Sequence, residues 1–178
     1  ETATGTFESR NVVVAAGAWT TLVEGTGLPP EAVQPVRGQM LRLAPRRLAL
    51  QRIVFGPRGY LVPRADGTVL AGSTMERVGY DKRVTAGGMQ QILTQAIGLA
   101  PGLADAEVAE SWSGLRPAPA DGLPLIGAGA VPGLFVASGH HRNGILLTPE
   151  TVRLVAEAVL GGGEPETLRP FSPRRFAR

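Results

Sequence analysis

Residues 134–160 limit the possible folds of this chain more than any other stretch. Leu134-Phe135-Val136-Ala137 is a short apolar run of the kind a buried strand uses. Residues 148–160 carry the period of an amphipathic helix at Val152, Val155, Ala156, Val159 and Leu160. Between them lies Gly139-His140-His141-Arg142-Asn143-Gly144, polar and bracketed by glycine. A strand that passes through such a turn into a helix gathers backbone N–H groups, a cation and the positive end of a helix dipole. That combination suits an anionic or electron-rich ligand. Thr148 reads as the helix N-cap, Pro149 as its first residue and Glu150 as the acid of its first turn. Gly161-Gly162-Gly163 reads as its end.

The rest of the chain is mostly short strands. Residues 2–16 read as a hairpin turning at Thr4-Gly5, with Val12-Val13-Val14 as a β-branched strand over 11–16. Small residues follow at Ala15-Ala16-Gly17-Ala18 before Trp19, and small residues at a strand end let a ligand or another backbone come close. A short helix is expected over 18–25. Residues 34–43, 51–55, 59–64 and 68–73 read as an antiparallel meander, with turn chemistry at Gly56-Pro57-Arg58 and Asp66-Gly67. From Thr85, a plausible N-cap, to Leu99 the period is helical, with Met89, Ile92, Leu93, Ala96 and Ile97 on one face. Pro101-Gly102 stops that helix. Residues 107–116 return to period two, with Trp112, Gly114 and Arg116 on one face. Residues 117–133 read as a Pro/Gly-rich loop.

Composition excludes several classes. The 43% apolar content is ordinary for a globular protein, so wholesale disorder is not expected. No apolar run approaches the roughly 18 residues of a membrane span. Asn11–Ala18 is too short for a signal peptide and lacks its basic flank. With no cysteine there is no disulfide, no thiolate metal site and no Cys-linked cofactor, and the redox compartment stays open. The only two histidines are adjacent, which suits no common metal-ligand spacing. Net charge is +3, and Arg174-Arg175 with Arg178 is the only dense basic cluster. It reads as a solvated tail, and no nucleic-acid partner is expected.

Six segments in order resemble one family. Residues 4–19, ending in Ala-Ala-Gly-Ala-Trp, resemble the final hairpin and last strand of the FAD-binding domain of the FAD-dependent D-amino-acid oxidase superfamily. Pro35-Val36-Arg37-Gly38-Gln39, Tyr60-Leu61-Val62-Pro63-Arg64 and Gly72-Ser73-Thr74-Met75-Glu76 resemble three of its substrate-domain strands. Trp112-Ser113-Gly114-Leu115-Arg116-Pro117 with Asp121-Gly122 and Pro124-Leu125-Ile126-Gly127 resembles its W-x-G-L-R-P…D-G-x-P-x-I-G block. Gly139-His140-His141-Arg142-Asn143-Gly144-Ile145-Leu146-Leu147 resembles its C-terminal signature, most closely that of the glycine oxidase branch, which serves thiazole synthesis in thiamine biosynthesis. His141 stands where the family often has Tyr or Phe.

The resemblance implies an α+β fold. A mostly antiparallel substrate-domain sheet with a packed helix would be joined by strands and a helix forming the C-terminal remnant of a Rossmann-like FAD-binding domain. The expected division is 1–30 as the end of the FAD-binding domain, 31–117 as the substrate domain, 118–163 as a return to the FAD-binding domain, and 164–178 as a tail. The family's G-x-G-x-x-G fingerprint is not among these residues, and the first residue is Glu1, so the chain reads as a C-terminal fragment.

The implied activity is oxidative deamination of glycine or another small D-amino acid or secondary amine by non-covalent FAD, giving an imino acid and hydrogen peroxide. The implied partners are the amino acid and dioxygen, the implied compartment is the cytoplasm, and a homo-oligomer stays open. Arg116 would anchor the substrate carboxylate and Tyr60 would add a hydroxyl to it. Met75 would line the pocket, and Arg142 would border the substrate side. Ala16, Gly17, Trp19, Gly139, His140, Arg142, Asn143, Gly144, Ile145 and Leu146 would meet the flavin. Taken alone, Arg116 reads as a structural ion pair, while Tyr60 and Met75 read equally as packing residues. A flavin-dependent amino-acid dehydrogenase, a sarcosine-oxidase-like enzyme and a non-catalytic interaction domain are the alternatives.

Overall fold

Alternation along the second half of the second strand, residues 39–44, sets the larger sheet. In β2 (Val33–Ala44), Leu41 and Leu43 are fully buried, while Met40 and Arg42 face the other way. This computed structural model describes residues 4–46, 50–161 and 163–176. β1 is Val12–Val14, β3 Val54–Gly56, β4 Gly59–Pro63, β5 Val69–Gly72, β6 Glu107–Pro119, β7 Leu125–Ala128 and β8 Leu134–Ser138. The helices are α1, Ala86–Leu99, and α2, Gly144–Leu160. The chain divides into two compact units. One runs from Val36 to Leu115, and the other comprises the described residues up to Pro35 and from Arg116 on.

In the Val36–Leu115 unit the strand order is β3-β4-β5-β2-β6. β3 pairs antiparallel with β4, β4 with β5, and β5 with β2, in the registers Phe55↔Tyr60, Tyr60↔Gly72 and Met40↔Gly72. The face carrying Leu41, Leu43, Leu61, Val69 and Ala71 packs on Ile92 and Ala96 of α1 and on Leu103, giving a core of aliphatic side chains. α1 begins where the sequence places it. Thr85 is its N-cap, and the Thr85 hydroxyl accepts from the Gly88 amide at 3.2 Å.

The other unit is built on a three-stranded sheet in the order β1-β8-β7. β1 runs parallel to β8 (Val13↔Phe135) and β7 antiparallel to it (Ile126↔Ala137). One side of it packs on Leu154, Val155 and Ala158 of α2 and on Leu168, and Ala32, Val33, Leu125 and Val136 form a second cluster.

The α+β class read from the sequence is the one found, with five local corrections. Residues 6–11 form no strand, so the hairpin over 2–16 is absent from its described part; residues 2 and 3 lie outside the described residues. The helix expected over 18–25 is a short 3₁₀ turn, Gly17–Leu22. Residues 117–133 are not all loop, because β6 continues to Pro119 and β7 pairs with β8. Pro117 does not end β6, which is an edge strand, the place in a sheet where proline is tolerated.

α2 starts at Gly144 rather than after Thr148. Asn143 is its N-cap, and the Thr148 hydroxyl bonds back to the Gly144 carbonyl at 2.7 Å. The helix still ends at Gly161; Gly162 lies outside the described residues. Finally, the tail is a strap, not solvated chain. Leu168 is fully buried in it, and the Arg175 guanidinium pairs with Asp121 at 2.6 and 3.1 Å and donates to the Leu123 carbonyl. Arg174 donates to the Gly129 carbonyl at 2.9 Å. Arg178 lies outside the described residues.

Candidate functional site

Parallel strands leave their carboxyl ends side by side, and in open α/β sheets that end is where ligands bind. β1 and β8 are such a pair, and the chain turns sharply after each. Gly17 has φ +55° and Gly139 +77°. At Gly139 a side chain would strike Pro119 Cγ at 2.8 Å and Leu125 Cδ1 at 3.0 Å, so this turn needs glycine on both counts. His141 also takes a positive φ of 49°, and its amide donates to the Pro117 carbonyl at 3.0 Å.

Buried hydroxyls tie the two turns together. Thr20 Oγ1 donates to the Gly17 carbonyl at 2.8 Å and lies 2.7 Å from Ser138 Oγ, which itself donates to the Gly17 carbonyl at 3.0 Å. Sequence reasoning missed Thr20 and Ser138; a hydroxyl at the end of an apolar strand was the available signal.

The second turn leads directly into α2. Its first helical bond is Leu147 N to Asn143 O at 2.9 Å, so the amides of Gly144, Ile145 and Leu146 precede the helical ladder. The first turn holds no acidic residue and the Asn143 side chain does not cap it. Ile145 and Leu146 are 93% and 79% exposed. Arg142 is exposed, and among the described residues it makes no ion pair. His140 instead turns inward, and its Nε2 shares a hydrogen bond with Thr151 Oγ1 on α2 at 2.9 Å. Burial lowers the His140 pKa, which favours a neutral imidazole. The residues singled out in the sequence thus gather here: Ala16, Gly17 and Trp19 on one turn, and Gly139 to Leu146 on the other. Arg116 lies in the same unit, within β6.

Tyr60 and Met75 belong to the Val36–Leu115 unit. Tyr60 stacks on Phe55 with ring centroids 5.5 Å apart, and its hydroxyl lies 3.5 Å from Met40 Sδ. Met75 is 60% exposed. Both residues flanking Met75 are held by β2. The Thr74 hydroxyl accepts from the Gln39 amide at 2.9 Å, and the Glu76 carboxylate pairs with the Arg37 guanidinium through both Nε and Nη2. Gln39 Nε2 donates to Glu76 at 2.7 Å and to the Thr85 hydroxyl at 3.1 Å, and Gln39 Oε1 accepts from the Thr85 amide at 2.8 Å. Arg37 also reaches Asp81 Oδ2 at 3.1 Å and the Arg83 carbonyl at 3.0 Å. Arg37, Gln39 and Thr74 are buried. The sequence offered two separate motifs here; the structure makes them one polar cluster.

This cluster has a pH signature. Burial alone would raise the Glu76 pKa, but hydrogen bonds from Arg37, Thr74 and Gln39 outweigh it and hold the carboxyl below its ordinary value. Hydrogen bonds from the side chain and amide of Arg83 depress Asp81 further. A carboxyl whose pKa is lowered by folding contributes stability that is present above its unfolded pKa. That stability is lost as pH falls through the folded value. The thermal midpoint should therefore hold steady down to roughly pH 5 and fall below about pH 4. Glu76→Gln should lower the neutral-pH midpoint and flatten the acid limb. An acid limb unchanged by Glu76→Gln would dissociate it from this carboxylate.

Residues 1–158 match the family model described as FAD dependent oxidoreductase, and the chain belongs to that family. Within it, the chain is similar to the glycine oxidase of Geobacillus kaustophilus, at 41% identity over 98% of this chain and 47% of that protein. It is also similar to the bifunctional protein ThiO/ThiG of Synechocystis, at 39% identity over 97% of this chain and 26% of that protein. The crystal structure of glycine oxidase from Geobacillus kaustophilus superposes with a TM-score of 0.89, covering 97% of this chain and 47% of that one. The chain spans about half or less of the length of these relatives.

Proposed function

We propose that this chain supplies the amino-acid-binding and flavin-edge residues of an FAD-dependent oxidase acting on glycine or a similarly small amine. The observation that carries this reading is the pair of hydroxyl-tied turns at the carboxyl ends of β1 and β8, opening onto the amides of α2. Those residues fit the cofactor. Gly144, Ile145 and Leu146 offer N–H donors ahead of the helical ladder, Arg142 offers a cation, and a side chain added at Gly17 would meet nothing within 4 Å. Donors and a helix N-terminus suit the electron-rich pyrimidine edge of a flavin. When bound, FAD supplies the two-electron acceptor, a chemistry no side chain here possesses.

Arg116 takes the substrate carboxylate in the planar fork of its guanidinium, and in its own unit Tyr60 offers a hydroxyl donor to the substrate. Met75 borders the substrate. His140 Nε2 is engaged with Thr151 Oγ1, so this ring serves the turn. The chain's residues thus act by binding, orienting and electrostatics, without a general base.

The test is an assay of the FAD-loaded protein that carries this chain, with glycine, sarcosine and D-alanine under air. Imino-acid-derived ammonia or methylamine with stoichiometric peroxide is the expected result. Turnover seen only with an artificial electron acceptor would make the protein a dehydrogenase. No turnover with any of the three would overturn the reading.

A further inference from the structure

All five N–H donors of the Arg175 guanidinium are engaged. Nε and Nη2 donate to the two carboxylate oxygens of Asp121 at 2.6 and 3.1 Å, and Nη2 also donates to the Leu123 carbonyl at 2.6 Å. Nη1 donates to the Phe171 and Ser172 carbonyls at 2.9 and 3.0 Å, and the guanidinium carbon stands 4.7 Å from the centre of the Phe176 ring. One side of the fork thus belongs to the C-terminal strap, and the other to residues 52 to 54 positions earlier in the chain.

Those residues form the tip of the turn that joins β6 to β7. Residues 120–123 are exposed, and inside the turn the Gly122 amide bonds the Pro119 carbonyl at 3.2 Å and the Leu123 amide bonds the Asp121 carboxylate at 3.0 Å. Both ends of this turn back the residues assigned to the flavin. Pro119 and Leu125 pack so closely on Gly139 that a Cβ there would lie 2.8 Å from Pro119 Cγ and 3.0 Å from Leu125 Cδ1. Leu125 pairs with Ser138 in the sheet, and just before the turn the Pro117 carbonyl accepts from the His141 amide at 3.0 Å. A bidentate guanidinium–carboxylate pair fixes direction as well as distance, and close-packed contacts pass that constraint on.

Resting on the function proposed above, we propose that Arg175 is a positioning residue for the flavin. Through Asp121 and Leu123 it holds the 119–125 turn against Gly139 and His141, and so keeps the amides of Gly144, Ile145 and Leu146 in place for FAD. Without this hold the turn samples other conformations, and the apparent affinity for FAD falls in proportion to the time spent away from the binding one.

The experiment strips FAD from the protein that carries this chain and follows its rebinding by flavin fluorescence. Arg175→Ala should raise the FAD Kd about tenfold or more, as for a turn that keeps its binding conformation about a tenth of the time. Arg175→Lys, which keeps the charge but not the fork, should raise it at least about threefold. In an Asp121→Ala background, Arg175→Ala should add less than about twofold, because both residues act through one link. Arg174→Ala removes the neighbouring cation of the strap and its bond to the Gly129 carbonyl. It should leave the Kd within about twofold, since that bond lies away from the turn. A loss of folded protein alone would lower the amount of FAD bound and not the Kd. An unchanged Kd in Arg175→Ala, or an equal rise in Arg174→Ala, overturns the proposal. Where Arg175→Ala yields too little folded protein, Arg175→Lys decides, and an unchanged Kd there overturns it equally. The stated pattern of Kd values in a protein that oxidises no amino acid counts against the function alone. A wild-type protein that binds no FAD overturns the function and the proposal together.

Discussion

Arg116→Ala is expected to lower kcat/KM for glycine by about thirtyfold or more. A charge-assisted, bidentate guanidinium–carboxylate pair in a desolvated site is worth about 2–5 kcal/mol, and about 1.4 kcal/mol corresponds to a factor of ten. Glycine has no side chain, so its carboxylate and its amine are the only polar groups by which it can be oriented, and losing the hold on the carboxylate should raise KM and lower kcat together. Arg116→Lys should recover only part of the loss, since an ammonium restores the charge but not the planar fork. Steady-state kinetics over a wide glycine range reads both parameters. A loss below about threefold would remove Arg116 from this role.

The second large effect concerns stability. Gln39→Ala should destabilise the protein by about 2–4 kcal/mol. Gln39 is fully buried and its side-chain amide makes three hydrogen bonds, two to Thr85 and one to Glu76. Truncation leaves the part-buried Thr85 amide and Glu76 carboxylate each short of a partner, and an unsatisfied group out of water costs about 1–3 kcal/mol. Gly88 sits so close to this amide that a side chain there would lie 2.3 Å from Gln39 Nε2, so the space is built around the glutamine. Denaturant unfolding should show a lower midpoint with an unchanged slope. A change under about 1 kcal/mol would mean that water or neighbouring groups replace those bonds.

What could be read from the sequence depended on how local its cause was. α1 and its Thr85 cap were legible because a cap and a 3.6-residue period lie within one segment. The strands at 59–63 and 69–72 were legible from the turn chemistry between them. β7 was hidden because Leu125 and Ile126 are both buried, so the strand shows no alternation, and glycines surround it. The start of α2 was misplaced because Thr148-Pro149-Glu150 imitates a helix start; Pro149 is instead accommodated in the second turn. The tail looked solvated because its charges are dense. The partner of Arg175, however, is Asp121, far away in sequence.

The site divides in the same way. The turn 139–146 announced itself by composition, whereas the Thr20–Ser138 tie and the Arg37–Glu76–Gln39 cluster join residues far apart along the chain. Resemblance marked the motifs of that cluster, but only the fold joins them.

The most direct measurement is anaerobic titration of the FAD-loaded protein with glycine while following the visible absorbance of the flavin. The expected result is full bleaching of that band as substrate reduces the flavin, followed by its return with peroxide formation when air is admitted. A band that glycine, sarcosine and D-alanine all leave unchanged would contradict an amino-acid-oxidising role for this chain.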